Sequence, residues 1–89
     1  MKINAENILF HECVGLTTRI AHSSEKSLEG IKGKILDETK NTFHIQLSRH
    51  KRIVVPKSVA IFNFYLESEV AVDGYKLIGD SGSRVSRLR

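Results

Sequence analysis

Between Val14 and Ile78 the apolar residues of this chain recur at every second position, in short runs broken by polar or glycine-bearing turns. A period of two places neighbouring side chains on opposite faces of an extended strand. Val14, Leu16 and Ile20 alternate with Gly15, Thr17 and Arg19 in a first strand. The polar stretch from His22 to Ser27 reads as a loop. Ile31, Gly33 and Ile35 alternate with Lys32 and Lys34 in a second strand over 30–37, and Phe43, Ile45 and Leu47 alternate with His44 and Gln46 in a third over 42–47. After the basic turn Ser48-Arg49-His50-Lys51, a fourth run over 52–55 stops at Pro56. The fifth, over 59–66, is apolar on both faces: Val59 and Ile61 on one, Ala60, Phe62, Phe64 and Leu66 on the other. That pattern predicts a central strand, or one whose outer side carries a helix. Val70–Val72 and Tyr75–Ile78 flank Asp73-Gly74, a strong hairpin signal.

Six to seven short strands within 89 residues predict a mainly β fold. The expected form is a small twisted antiparallel barrel of SH3-like or Sm-like size. Ahead of it, Asn4 suits a helix cap, Glu6 lies in the first turn, and Ala5, Ile8 and Leu9 share one face. These predict a helix of about two to three turns that ends at Gly15 and covers part of the barrel. The chain then divides into an N-terminal helical segment over 1–14, a barrel over 15–79, and a basic, partly flexible tail over 80–89. Gly30 and Gly33 mark a bend in the second strand. Asp37, Thr39 and Asn41 suit a tight turn closed by local side-chain hydrogen bonds, a structural role.

Charge points to a partner. Fourteen Lys and Arg face ten Asp and Glu, a net of +4. Cations that neutralise phosphates release condensed counterions, so a small basic domain suits a polyanion. Lys32, Lys34, Lys40, Arg49, Lys51, Arg52 and Lys57, with Arg84 and Arg87 in the tail, are the candidate phosphate contacts. With no Trp and two Tyr, the chain lacks the aromatic lining of a polyproline groove. It also lacks the aromatic stripe of a single-strand binder, so shape and backbone contacts to folded RNA fit better.

Catalytic and metal readings are weak. His11 and Cys13 lie two apart and His22, His44 and His50 are scattered, which matches no paired zinc-ligand spacing. Asp37 and Glu38 are adjacent turn carboxylates, and no nucleophile elbow or phosphate-cradling glycine loop is present. The expectation is a chain with no catalytic site, metal or cofactor of its own. A single cysteine rules out an internal disulfide, and no apolar run approaches the ~18 residues of a membrane span. A reducing cytoplasm is the default expectation.

A family resemblance rests on segments that occur in order. They are Val14-Gly15-Leu16, Gly30-Ile31-Lys32-Gly33-Lys34-Ile35, Asp37-Glu38-Thr39-Lys40-Asn41-Thr42, Val55-Pro56-Lys57 and Ala60-Ile61-Phe62-Asn63-Phe64. Together, over about residues 8–79, they resemble protein component 1 of archaeal ribonuclease P, a family with eukaryotic relatives in the nuclear ribonuclease P and MRP particles. The family's Arg-Pro pair after the last strand is absent, and Asp80-Ser81-Gly82-Ser83-Arg84 stands there.

The resemblance implies an Sm-like barrel and a role in removing the 5′ leader of precursor tRNA. The chemistry would belong to the RNA component and its Mg2+. The protein would support RNA folding and substrate recognition. Implied partners are the specificity domain of ribonuclease P RNA, a zinc-ribbon protein subunit, the other ribonuclease P proteins, and precursor tRNA in the holoenzyme. The isolated chain is expected to be a monomer. Ile8, Leu9 and Phe10 are the candidate surface for the protein partner. A short helix cannot bury all three on one side, so either one faces a partner or all three fill the open end of the barrel. Two rivals remain: a ring-forming Sm-like or ribosomal RNA-binding module, and a small metal-dependent nuclease for which the residues offer no site.

Overall fold

The computed structural model describes residues 3–4 and 7–79, apart from the Phe10 side chain. The expectations about a tail over 80–89, with Arg84 and Arg87, and about Ala5 and Glu6 lie outside these residues. Six strands form one sheet: β1 (Thr17–Ser23), β2 (Lys32–Glu38), β3 (Thr42–Ser48), β4 (Lys51–Pro56), β5 (Ala60–Tyr65) and β6 (Glu69–Asp73). Their order is β4-β3-β2-β1-β5-β6, with every pair antiparallel. The mainly β, antiparallel expectation therefore holds.

The sheet is curled rather than flat. Phe43 on β3 and Phe62 on β5 stand three strand steps apart, which in a flat sheet is ~14 Å. Their ring centroids are 5.1 Å apart, edge to face. They meet across the interior, together with Ile20, Ile35, Ile45, Val55, Phe64 and Leu77, all essentially without solvent exposure. Thr18 also points inward, and its hydroxyl donates to the Asn63 carbonyl at 2.9 Å.

The glycines of the second strand have different tasks. Gly30 precedes β2 and takes φ +85°, a left-handed turn conformation. Gly33 lies within β2, opposite Thr18, where a Cβ would land on the Gln46 backbone carbonyl and 2.7 Å from Ile45. Its missing side chain lets the strands approach at the bend.

Four expectations are corrected. The N-terminal helix is a single 3-10 turn, Ile8–Phe10, among the described residues. Asn4 still caps locally: its Oδ1 accepts from Asn7 N–H at 3.1 Å while Asn7 Oδ1 accepts from Asn4 N–H at 2.8 Å. The turn does not cover the outer side of β5, because Ile8 is 1% exposed and belongs to the core.

The first strand begins later than expected, at Thr17, and Val14 is 39% exposed while Cys13 takes the buried place. The strand also extends through His22, which the period had put in a loop, with a bulge between Ile20 and His22. His22 Nδ1 and Lys26 Nζ reach Glu29 at 2.8 and 3.3 Å. Burial works to raise the Glu29 carboxyl, but the Lys26 hydrogen bond, the Ser23 N–H and the charges of Lys26 and His22 outweigh it and hold it below its ordinary value.

The final hairpin does not form. A two-residue Asp-Gly hairpin needs positive φ at both central residues. Asp73 has φ −65° and Gly74 is not among the positive-φ glycines. Instead Asp73 accepts from Tyr75 N–H at 3.1 Å and caps a 3-10 turn, Gly74–Leu77, that drops Leu77 into the core.

Candidate nucleic-acid interface

Residues directly opposite one another in a ladder project to the same side of the sheet. Two outward rows follow from the registers. One runs Thr17–Lys34–Gln46–Arg52 across β1, β2, β3 and β4. The other runs Lys32–Arg19–Asn63–Ala71 across β2, β1, β5 and β6. Lys32 and Lys34 join the rows, being two apart on one strand. The Lys32 ammonium lies 4.5 Å from the Tyr65 ring centroid, which limits its freedom before any ligand arrives.

The β3–β4 turn lies at the same end of the sheet. Ser48 pairs with Lys51, and Arg49, Lys51 and Arg52 are exposed. The structure thus gathers Arg19, Lys32, Lys34, Arg49, Lys51 and Arg52 on one outer face. The acids Glu67, Glu69 and Asp73 lie on and beside β6, at the far edge. Arg19 was absent from the sequence-derived candidates. Its signal was present in the alternation of β1, which sets it outward, but its neighbour Lys32 is distant in sequence.

Lys40 is exposed but sits in the β2–β3 turn, the opposite end of β3 from Arg49. Seven strand residues separate these ends by ~20 Å, so Lys40 does not join the cluster. The turn itself is closed by its own groups: Asp37 Oδ1 accepts from Glu38 N–H at 2.8 Å, and Thr39 Oγ1 accepts from Thr42 N–H at 3.1 Å. The Asn41 carbonyl accepts from Lys57 N–H at 2.8 Å.

Lys57 is a correction. It was a candidate phosphate contact, yet its exposure is 0%. Its ammonium donates to Glu38 Oε2 at 2.6 Å, and to the carbonyls of Leu77, Gly79 and Lys40 at 2.8, 3.1 and 3.3 Å. It also lies 4.9 Å from the centre of the Phe43 ring. The other Glu38 oxygen accepts from Cys13 N–H at 3.0 Å. These bonds tie the segment after β4 to the end of β2 and to the segment after β6. Pro56, which ends β4, delivers Lys57 into this position. A lysine held in this way cannot reach a phosphate.

Ile8, placed in the core, also cannot be offered to a partner. Leu9 is partly buried and lines a concavity of about 210 Å³ along β6, with Val70 and Val72. Phe10's side chain is outside the described residues. Among the described residues, no three His, Cys, Asp or Glu side chains are grouped to hold a metal ion, and no helix is long and apolar enough to cross a membrane.

Comparisons with known proteins identify the family. Residues 6–87 match the family described as ribonuclease P/MRP, subunit p29. The chain is 42% identical over 86 residues to ribonuclease P protein component 1 of Methanocaldococcus jannaschii, covering 96% of this chain and 90% of that protein. It is 37% identical over 87 residues to the protein of the same name from Methanothermobacter thermautotrophicus, covering 96% and 94%. The solved structure of Mth11, a homologue of the human RNase P protein Rpp29, superposes with a TM-score of 0.60 at 38% identity, covering 83% of this chain and 97% of that one. The chain belongs to the p29 subunit family of ribonuclease P and MRP.

Proposed function

We propose that this ribonuclease P subunit binds the RNA component through the outer face of β1–β4 and supports its folding and substrate recognition. The cleavage chemistry resides in the RNA and its Mg2+. The clustering of charge carries this reading: six cations share one face toward the β3–β4 turn, whereas the exposed acid of β2, Asp37, stands at the opposite, β2–β3 end, and Glu69 and Asp73 lie on β6. Phosphate neutralisation at such a face is mainly electrostatic. Within the particle, the RNA's specificity domain is the partner of the basic face. The Leu9 concavity beside β6 is the place for the zinc-ribbon subunit, and precursor tRNA and the remaining proteins complete the holoenzyme. A reducing cytoplasm suits the buried thiol of Cys13.

Reconstitution tests the reading. Ribonuclease P RNA and the other protein subunits are assayed for precursor-tRNA cleavage at limiting magnesium, with and without this chain. Addition is expected to lower the magnesium requirement or raise the rate. In RNA-binding titrations, Lys34→Ala and Arg52→Ala are each expected to cost ~1 kcal/mol, about fivefold in Kd. Each should also flatten the salt slope by ~0.7–0.9. Lys40→Ala, at the other end of the sheet, is expected to change the slope less. No effect on cleavage, with slopes unchanged in Lys34→Ala and Arg52→Ala, would overturn the assignment.

A further inference from the structure

We propose that the concavity between the β2 bulge and the β3–β4 turn is a subsite for one unpaired nucleotide of the RNA. The proposal rests on the RNA-binding reading and deepens it from a charged face to a site that selects a local RNA structure.

Two bulges shape the place. The β2–β3 register shifts between Ile35 and Asp37, and the β3–β4 register shifts between Gln46 and Ser48. Each bulge bends its strand and increases the local twist, which opens the sheet surface between them. The resulting concavity holds about 220 Å³. That is below the ~300 Å³ at which pockets begin to enclose drug-sized ligands, and suits a single base.

The chemistry of the lining separates three possible occupants. Arg49, Lys51 and Arg52 stand around it, and no carboxylate lines it. Among the described residues none of the three makes an ion pair. Their charge is therefore available to phosphates on either side of a bound nucleotide. A lone phosphate would need no more than these cations, and a flat surface would serve.

The concavity adds Leu36, the extra residue of the β2 bulge, as an apolar wall. It also adds the Gln46 amide and the Ser48 hydroxyl, whose side chains make no hydrogen bond among the described residues. A primary amide offers a donor and an acceptor together, the pattern found on base edges. Arginine guanidinium planes can stack on a base where no aromatic side chain is present. A fully paired duplex keeps its bases stacked and cannot use these groups. An extruded or bulged nucleotide can, and it has the least unstacking to overcome.

The test uses the full chain and three RNA hairpins of equal stem sequence. One is fully paired, one carries a single-nucleotide bulge, and one carries an abasic residue at the bulge. Binding is read by fluorescence anisotropy at several salt concentrations. The bulged hairpin is expected to bind about tenfold more tightly than the paired one, the equivalent of ~1.4 kcal/mol. The abasic hairpin should lose that preference, since it keeps the kink and lacks the base. Gln46→Ala should erase the preference and, since it removes no charge, keep the salt slope. Amide chemical-shift dispersion like that of the wild type verifies its fold.

Equal binding of bulged and paired hairpins, with a normal salt slope, would overturn the subsite and leave the basic face standing. Equal binding of bulged and abasic hairpins, or a preference that survives Gln46→Ala, would overturn it as well. Absence of binding to all three at low salt would overturn the RNA-binding reading itself.

Discussion

Lys57→Ala is expected to cost ~3–5 kcal/mol of folding stability, the range found when one partner of a buried ion pair is removed. Lys57 is fully buried and the Glu38 side chain is 4% exposed, with 2.6 Å between ammonium and carboxylate. Deleting the ammonium removes the charge that offsets this buried carboxylate, whose other oxygen accepts from Cys13 N–H. It also removes one donor to the Leu77, Gly79 and Lys40 carbonyls. Each hydrogen bond lost in the interior gives up part of the compensation for desolvation. A chain of this size has a total stability of ~5–13 kcal/mol, so the loss is a large share of it. Urea titration followed by far-ultraviolet circular dichroism measures it.

The companion variants locate the cause. Lys57→Met combined with Glu38→Gln is expected to recover much of the loss, because no charge is then buried alone. The double-mutant cycle should give a coupling of ~2–3 kcal/mol. A cost below ~1 kcal/mol for Lys57→Ala would mean that the pair behaves as an exposed one. That result would contradict the closure described above.

Gly74→Ala is expected to destabilise by ~3 kcal/mol or more, at the upper end for overpacking. A Cβ there would land on the Lys57 carbonyl and would lie 2.7 Å from both the Ala60 carbonyl and Phe62 Cε2. Two of the three obstacles are backbone, which cannot swing aside as a flexible side chain can. Movement would displace the 3-10 turn that seats Leu77 and the carbonyls that hold Lys57. Gly30→Ala is the control, with φ +85° and nothing within 4 Å of its Cβ position. Only the left-handed backbone opposes that change, at ~1–2 kcal/mol. Thermal melts of the two variants should rank in that order. The reverse ranking would show that close packing beneath Gly74 does not govern the closure.

Much of this architecture was legible from local pattern. The alternation of Phe43, Ile45 and Leu47 with His44 and Gln46 marked β3, and the Thr39–Thr42 turn was readable from its hydroxyl side chains. The outward lysines of β2 were also apparent, because a strand's period of two is a property of neighbours. The candidate surface was legible only in part. The candidate phosphate contacts Lys32, Lys34, Arg49, Lys51 and Arg52 are exposed, yet nothing local showed that Lys40 stands at the other end of the sheet.

Lys57 shows the limit most clearly. Lysine is almost never fully buried unless paired, so a lysine after Val-Pro reads as a surface cation. Its partner Glu38 is 19 residues away. Asp73-Gly74 shows the same limit in another form. The dipeptide favours a hairpin, but the crowding of Gly74 by the Lys57 and Ala60 carbonyls accompanies a different outcome. The sequence by itself determined the cores of the six strands, most of their inward and outward faces and the basic balance of the chain, since these depend on residues within a few positions of each other. The tertiary structure alone decided which end each cation occupies, which lysine is buried, and how the curled sheet is closed, because those depend on contacts between residues that meet only when strands pair and the sheet curls.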